Sequence, residues 1–406
     1  MEQKNPNEEG QRMRIVITGG AGAMALPAAI YCLEQKEVSE LVLTDISKSK
    51  LDERIGQLKD KRVKGEVLDL MDVEASATLF RGADAVLNAA FATACIPVTK
   101  AAQAAGVNYT DLGAYDPAEQ LGFHDGFREK GATAVVSMGT APGMSNVMAA
   151  YGAERLDKIE SIEIQDVCAN MVPHEQHSRP LYWGYAIESI MEEFVEKAQV
   201  LDKGKVKLYP PRSLPETVAF KPPVGPSEIS LTAHPEIEMF ARSFKDKGIQ
   251  KASWKIGFEP EFEAKLRFLS ALGFGQTEPV DVDGQMVSPR RMLVTLLNNR
   301  PPEKKSPPDF RGHMIVVVSG EEAGQKVAYT IAEYATSALT ERMQRKGVFS
   351  SYRTGIYVGI ATMMLARGQI QQKGVFYPEV VIPAEEFLKE AARVGIEIEV
   401  SRKTAL

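Results

Sequence analysis

Cysteine is scarce in this chain: three in 406 residues, Cys32, Cys95 and Cys168, none in a CxxC pair or a ligand cluster. That excludes a disulfide scaffold and a thiolate zinc site, and it fits a reducing cytoplasm. No apolar run reaches the roughly 18 residues that a membrane span requires. Neither charge sign dominates: 48 Lys and Arg against 54 Asp and Glu leave a net charge of -6. Nothing there forms the basic stripe of a nucleic-acid or membrane-surface protein. The opening MEQKNPNEEGQR is polar and lacks the apolar core of a secretory signal, so residues 1–12 are expected to be a frayed tail. Hydrophobic residues at 44% and charged residues at 25% are ordinary values. They exclude global disorder, and the length allows two or three domains.

What is present is a strand–helix alternation over the first 150 residues. MRIVIT (Met13–Thr18), ELVLTD (Glu40–Asp45), GEVLDLMD (Gly65–Asp72), DAVLNAAF (Asp84–Phe91), NYTDLG (Asn108–Gly113) and ATAVVSMG (Ala132–Gly139) read as six strands. Helical runs such as KSKLDERIGQLKD and VTKAAQAAG separate them. Such alternation predicts a doubly wound parallel sheet with helices on both faces, and ligands bind outside the carboxyl ends of its strands.

The first strand runs into TGGAGAMALPAA. Gly20-x-Gly22-x-x-Ala25 here follows a strand and opens a helix, the context that gives an otherwise weak pattern its meaning. Gly20 is expected to take the positive φ of the turn. Gly22, lacking Cβ, lets a pyrophosphate approach the backbone, and Ala25 allows close helix–strand packing. Amides at the helix start, those of Ala23 and Met24 included, add donors and partial positive charge. Asp45 closes the second strand, where a carboxylate accepts hydrogen bonds from the adenosine ribose of NAD. Ser47, Lys48 and Lys50 behind it are the residues that would instead favour the 2′-phosphate of NADP. The balance favours NAD.

VLNAAF (Val86–Phe91), NYTDLGAY (108–115) and SMGTAPGMSNVMAAYGA (Ser137–Ala153) together resemble the saccharopine dehydrogenase-like family. The closing segment RTGIYVGIATMMLARGQIQQKGVFYPEVVIPAEEFLKEAARVGIEIE (Arg353–Glu399) is similar to the family's end, in the style of its lysine 6-dehydrogenase branch. WKIGFEPEFEAKLRFLSALGFGQ (Trp254–Gln276) is similar to its middle helix. The resemblance implies a Rossmann NAD(P)-binding domain, residues 13–147, completed by the C-terminal segment 352–400. Between them it implies an inserted α+β domain, 148–351, that binds substrate and forms a homodimer. Ser161–Ala169, Gly312–Glu322 and Gln325–Ala335 read as strands of an antiparallel sheet there. The proline-rich stretch 209–228 is expected to be a long extended loop, and 299–312 a second connection.

The family chemistry is oxidation of a C–N bond beside an amino-acid skeleton, or reduction of the imine. It needs substrate carbon and nicotinamide held face to face, and a base within reach of the amine. By family position, Asn88, Ala89, Ala90 and Phe91 border the nicotinamide end of the cofactor. Thr140, Pro142, Gly143 and Asn146 line its other side, Asn146 toward substrate. Asp111, at the carboxyl end of a predicted parallel strand, is the first candidate acid/base or ammonium anchor, and Tyr109 on the same face is a candidate pocket residue. Arg179, Tyr182 and Trp183 form a candidate clamp for a substrate carboxylate and stem. His234 falls where the lysine 6-dehydrogenase branch also has a histidine, but Pro235, Glu236 and Ile237 replace the glycine-rich residues that follow it there. His234 is a candidate catalytic residue and Arg242 a candidate carboxylate partner. His124, on a polar helix, is expected to be exposed. His174 and His177 stand in a proline-containing loop without the helical spacing of a zinc pair, so no metal is expected.

The leading expectation is an NAD(P)-dependent oxidoreductase that deaminates lysine at its ε-amine. Its rivals within the family are saccharopine reduction and the reductive coupling of polyamine synthesis. Outside it stands a non-catalytic NAD sensor, which would bind without turnover. A sugar or aldehyde oxidoreductase on the same fold is disfavoured by GTAPGMSN and the closing segment.

Overall fold

The structure is a computed structural model describing residues 12–114, 116–177, 181, 184–299 and 306–404. The chain divides into two compact units. One comprises residues 1–147 and Tyr352–Ala391, the other Met148–Ser351 and 392–406.

In the first unit, strands β1 (Met13–Thr18), β2 (Val38–Asp45), β3 (Val63–Val67), β4 (Ala85–Asn88), β5 (Asn108–Asp111) and β6 (Thr133–Val135) alternate with helices. These are α1 (Ala25–Glu34), α2 (Lys48–Leu58), α3 (Val73–Phe80), α4 (Cys95–Ala105), α5 (Pro117–Leu121) and α6 (His124–Glu129). β1, β2 and β4 are apolar runs because both faces of the sheet are covered there: Ile15, Val16, Ile17, Leu41, Leu43, Val86 and Leu87 are all buried, whereas the edge strand β3 is largely exposed. A seventh strand, Gly374–Phe376, returns from the C-terminal segment and pairs parallel with β6. The order is Gly374–Phe376, β6, β5, β4, β1, β2, β3, with every pairing parallel. This is the doubly wound Rossmann sheet completed by the C-terminal segment. Its winding reverses between β1 and β4, the place where such sheets form a ligand crevice. His124 is not the exposed residue expected. It is half-buried, its Nδ1 lies 3.2 Å from the amide of Val375, and its ring meets Phe376 edge-on.

The second unit follows α7 (Met144–Ala153) with β7 (Lys158–Asn170), α8 (Ile187–Glu193), β8 (Ala198–Asp202), β9 (Lys205–Tyr209), β10 (Glu216–Ala219), β11 (Pro226–Leu231), α9 (Glu236–Ser243), β12 (Lys251–Gly257) and α10 (Pro260–Ala271). The long hairpin Phe310–Glu322 and Gln325–Ala335 follows, and Ile396–Thr404 ends the described chain. The three strands named from the sequence pair antiparallel, within a sheet that is mixed because β12 pairs parallel with β7. Two expectations are corrected. The proline-rich stretch is not a continuous loop: β10 and β11 pair antiparallel within it, with Pro226 at the first position of β11 and the other prolines outside the strands. Residues 392–400 lie in this unit, not in the dinucleotide-binding one. IEIEVSRKT alternates at strand period and pairs antiparallel with Gln325–Ala335.

At the edge beyond β6 the chain folds back on itself. Gly143 has φ 130, and a Cβ there would lie 2.2 Å from the Gly139 carbonyl oxygen. Gly143→Ala should therefore lower stability by about 2 kcal/mol or more, read as a fall in urea midpoint at constant slope.

Candidate active site

The glycine turn is built as a cradle. The positive φ belongs to Gly19 (φ 66), not Gly20 as expected. A Cβ on Gly19 would lie 2.7 Å from Ala90 Cα, and one on Gly20 2.8 Å from Leu43 Cβ. Both are thus glycine for close packing against β4 and β2, and Gly19 also for the turn. A Cβ on Gly22 would meet only the Gly19 oxygen at 3.0 Å and the Ala89 oxygen at 3.8 Å. Ala23 is exposed and Met24 half-buried. Helix α1 starts without a side-chain cap and without an acid in its first turn. Its leading amides and its dipole are free to meet an anion. The residues present fit a dinucleotide.

Asp45 accepts the amides of Ala21 (3.2 Å) and Ser47 (3.0 Å), which aims its half-buried carboxylate at the cradle's rim. Lys48 is tied to Asp52 at 2.8 Å, so the nearest cation behind Asp45 is already paired. Sequence reasoning missed Arg54, whose Nη2 donates to the Ala21 carbonyl oxygen at 2.9 Å and so braces the turn from α2. A lone arginine on an exposed helix gives no sequence signal of this.

The strand ends behave differently from expectation. Asn88 is fully buried. Its Oδ1 accepts Thr18 Oγ1 (2.8 Å) and the Ala90 amide (3.1 Å), so it shapes the turn through Ala89 and Ala90 rather than projecting from it. Ala89 and Ala90 lie against Gly19, and Phe91 is 85% exposed.

Asp111 is corrected more strongly. It is fully buried and accepts four donors: Gln120 Nε2 (2.6 Å), Tyr109 hydroxyl (2.9 Å), and the amides of Ser137 (2.6 Å) and Gly113 (3.0 Å). Burial raises its pKa, against the pull of those hydrogen bonds. A carboxylate so engaged ties β5 to the loop after β6, where Ser137 sits at φ 62. It has no face left for substrate. Tyr109 is likewise fully buried, its hydroxyl donated to Asp111.

Pro142, Gly143 and Asn146 are buried. The Gly143 amide donates to Asn146 Oδ1 (2.9 Å) and Asn146 Nδ2 to Glu379 (2.9 Å), so the turn closes internally and offers neither an open amide at Gly143 nor a substrate contact at Asn146. Thr140 is half-buried, its hydroxyl 2.8 Å from that of Thr354.

In the second unit, His234 is held on two sides. Its ring stacks face to face on Trp254, centroids 3.8 Å apart and planes 5° from parallel. Its Nδ1 meets the fully buried Glu236. Among the described residues Nε2 has no hydrogen-bond partner. Burial pushes the imidazole pKa down, but Glu236 foremost, then Glu193 and Asp166, outweigh it and the net shift is upward. Glu193 takes the Tyr185 hydroxyl and is pushed up to about 7 by burial, against the pull of His234. A carboxylate–imidazole pair of fixed ring orientation can hold and deliver a proton near neutral pH. Only His234 of these was foreseen. Glu236 was legible as a helix-start acid, but Glu193 and Trp254 carried no pattern.

Arg242 is exposed in the last turn of α9, where a cation favours the helix dipole. Arg179, Tyr182 and Trp183 lie outside the described residues. His174 pairs with Glu261 (3.0 Å), and His177 Nε2 lies 2.8 Å from the Val172 carbonyl oxygen. Among the described residues no three His, Cys, Asp or Glu side chains are grouped to hold a metal, and no helix is long and apolar enough to cross a membrane.

Two family models match the chain. Residues 15–135 match the saccharopine dehydrogenase NADP binding domain and residues 139–396 the saccharopine dehydrogenase C-terminal domain. A carboxyaminopropylagmatine dehydrogenase of Synechocystis sp. is 24% identical over 398 residues, covering 95% of this chain and 96% of that protein. A carboxynorspermidine synthase of Vibrio alginolyticus is 25% identical over 363 residues, covering 84% of each. The solved apo saccharopine dehydrogenase (L-Glu forming) of Saccharomyces cerevisiae superposes with a TM-score of 0.71 at 14% identity, covering 97% of this chain and 100% of that one.

Two outcomes check this geometry. Glu236→Gln should move the His234 pKa down toward or below ~6.5, read by the imidazole NMR shift against pH. Because the folded pKa is raised, His234 contributes stability that is complete below ~6.5 and is lost as pH rises through the folded value. Asp111→Ala should cost about 3 kcal/mol in denaturant unfolding, while any surviving activity keeps its pH profile.

Proposed function

Starting from the premise that this chain belongs to the saccharopine dehydrogenase family and is an NAD(P)-dependent oxidoreductase, we propose that it couples a primary amine to an amino-acid aldehyde by reducing their imine. Its support is twofold. The two named relatives, matched over most of their length, bear names of carboxylated amines in which an amino-acid fragment is joined to agmatine or a polyamine unit. The observation in this chain that carries the chemistry is the Glu236–His234 pair, raised in pKa and stacked on Trp254. These replace ε-deamination of lysine as the favoured reading.

Aldehyde and amine condense to an imine with loss of water. Reduction adds a hydride to the carbon and a proton to the nitrogen, giving a secondary amine. The nicotinamide cofactor, when bound, supplies the hydride. The protein's part is to bind, orient and protonate. His234, as imidazolium, holds the proton on Nε2 that the imine nitrogen takes; a protonated imine is the better hydride acceptor. Glu236 keeps the Nδ1 proton in place and stabilises the charged ring. The cradle of Gly19, Gly20 and Gly22, with Ala23 and Met24 amides, receives the pyrophosphate. Asp45 receives the adenosine ribose, which favours NAD. A 2′-phosphate would face the Asp45 carboxylate, with Lys48 engaged elsewhere.

The test is oxidation of NADH at 340 nm by an amino-acid aldehyde together with agmatine, 1,3-diaminopropane or putrescine. Turnover that requires both organic partners, with NADH preferred over NADPH by about tenfold or more in kcat/KM, is the expected result. Asp45→Ser should narrow that preference. Reduction of NAD by L-lysine alone at pH 9–10, with no coupling, would return the assignment to ε-deamination.

A further inference from the structure

The sheet of the second unit ends on an open edge. Its closing strand, Ile396–Thr404, pairs antiparallel with Gln325–Ala335, and among the described residues its other side meets no strand. Alternate residues along it turn their backbone N–H and C=O groups away from the sheet. Natural edges are kept from pairing by shortness, a proline, a bulge, a covering segment or charge. The opposite edge, β10, is only four residues long. The closing strand, IEIEVSRKT, is nine residues long, contains no proline and keeps an unbroken register. It is not covered either, since all but Ile396 and Ile398 are exposed.

Charge is present, but in an order that favours one partner. Glu397 and Glu399 come first, Arg402 and Lys403 last. A parallel copy of this strand would set like charge against like. A copy turned antiparallel about a two-fold axis at Val400 sets Glu397 of each chain opposite Lys403 of the other, with Val400 opposite Val400 at the axis. Glu399 and Arg402 are already tied within the chain, to Lys221 and Glu322. Glu397 and Lys403 are exposed and form no ion pair among the described residues.

The apolar layer beneath the sheet gives a separate indication. Side chains alternate between the faces of a strand. Tyr329, Ile331 and Glu333 of the neighbouring strand are buried, and Arg402, Val400 and Ile398 stand opposite them on that same face. Val400 is nevertheless 44% exposed. The buried face thus runs out at the edge with an unfilled margin, at the residue through which the axis would pass.

We propose that two copies of the chain join at this edge. The closing strands pair antiparallel about a two-fold axis at Val400 and make one continuous sheet of two. The occupant is a second copy, not a strand of another protein, because the charge order is complementary to its own reversal. The proposal does not depend on the reaction assigned above.

The experiment is sedimentation velocity of the full chain over a concentration series, with the charge reversals Glu397→Lys and Lys403→Glu. The natural chain is expected to be a dimer that dissociates on dilution. Each single reversal sets like charges opposite each other in both cross-strand pairs and should raise the dimer Kd about tenfold or more. The double variant, Glu397→Lys with Lys403→Glu, should regain the natural affinity. An equimolar mixture of the two single variants should also dimerise, because two lysines on one chain then face two glutamates on the other. That mixture also shows that each single variant is folded, and hydrogen exchange at the amides of residues 396–404 should slow on mixing. A natural chain that stays monomeric throughout the series overturns the proposal. So does a dimer indifferent to both reversals, or a loss that neither the double variant nor the mixture repairs.

Discussion

A carboxylate removed from water must be given donors, a cation or a proton, and most of what this protein does follows from how it meets that demand. Asp111 is given donors, four of them, and becomes a structural tie. Glu236 is given an imidazole. Glu193 is given one hydroxyl and, near neutral pH, a proton. Asp45 stays half in solvent with two backbone amides and remains available to a ribose. Four acids at four element ends differ in role because their surroundings differ in what they supply.

The dinucleotide half was legible because its demands are local. A strand, a glycine turn and a helix in one run from Met13 to Glu34 form the phosphate cradle, with an acid at the end of the next strand for the ribose. Even there one detail was misassigned. The turn's positive φ falls on Gly19, while Gly20 is glycine because β2 passes too close for a side chain. Pattern spacing names the segment, but which glycine turns and which merely makes room depends on a neighbouring strand.

The rest was illegible for a consistent reason: it rests on contacts between residues far apart in sequence. Asp111 looked like a catalytic acid because strand-end acids in parallel sheets often face ligands. Gln120 and Ser137, which claim it, come from α5 and from the loop after β6. Asn146 likewise turns inward to Glu379. His234 was legible by position, and Glu236, which does most to raise its pKa, stands two residues on; its orientation comes from Trp254 on β12, some twenty residues later. The proline-rich stretch reads as a loop by composition, yet it holds two short paired strands, the second opening on Pro226.

The most direct measurement is the mass of the product formed from NADH deuterated at the transferable position, an amino-acid aldehyde and a diamine. Reductive coupling predicts a secondary amine equal to aldehyde plus diamine less one oxygen, carrying one deuterium on the former aldehyde carbon. Recovery of the aldehyde as a deuterated alcohol, or of both partners unchanged while NADH is bound, would contradict the account.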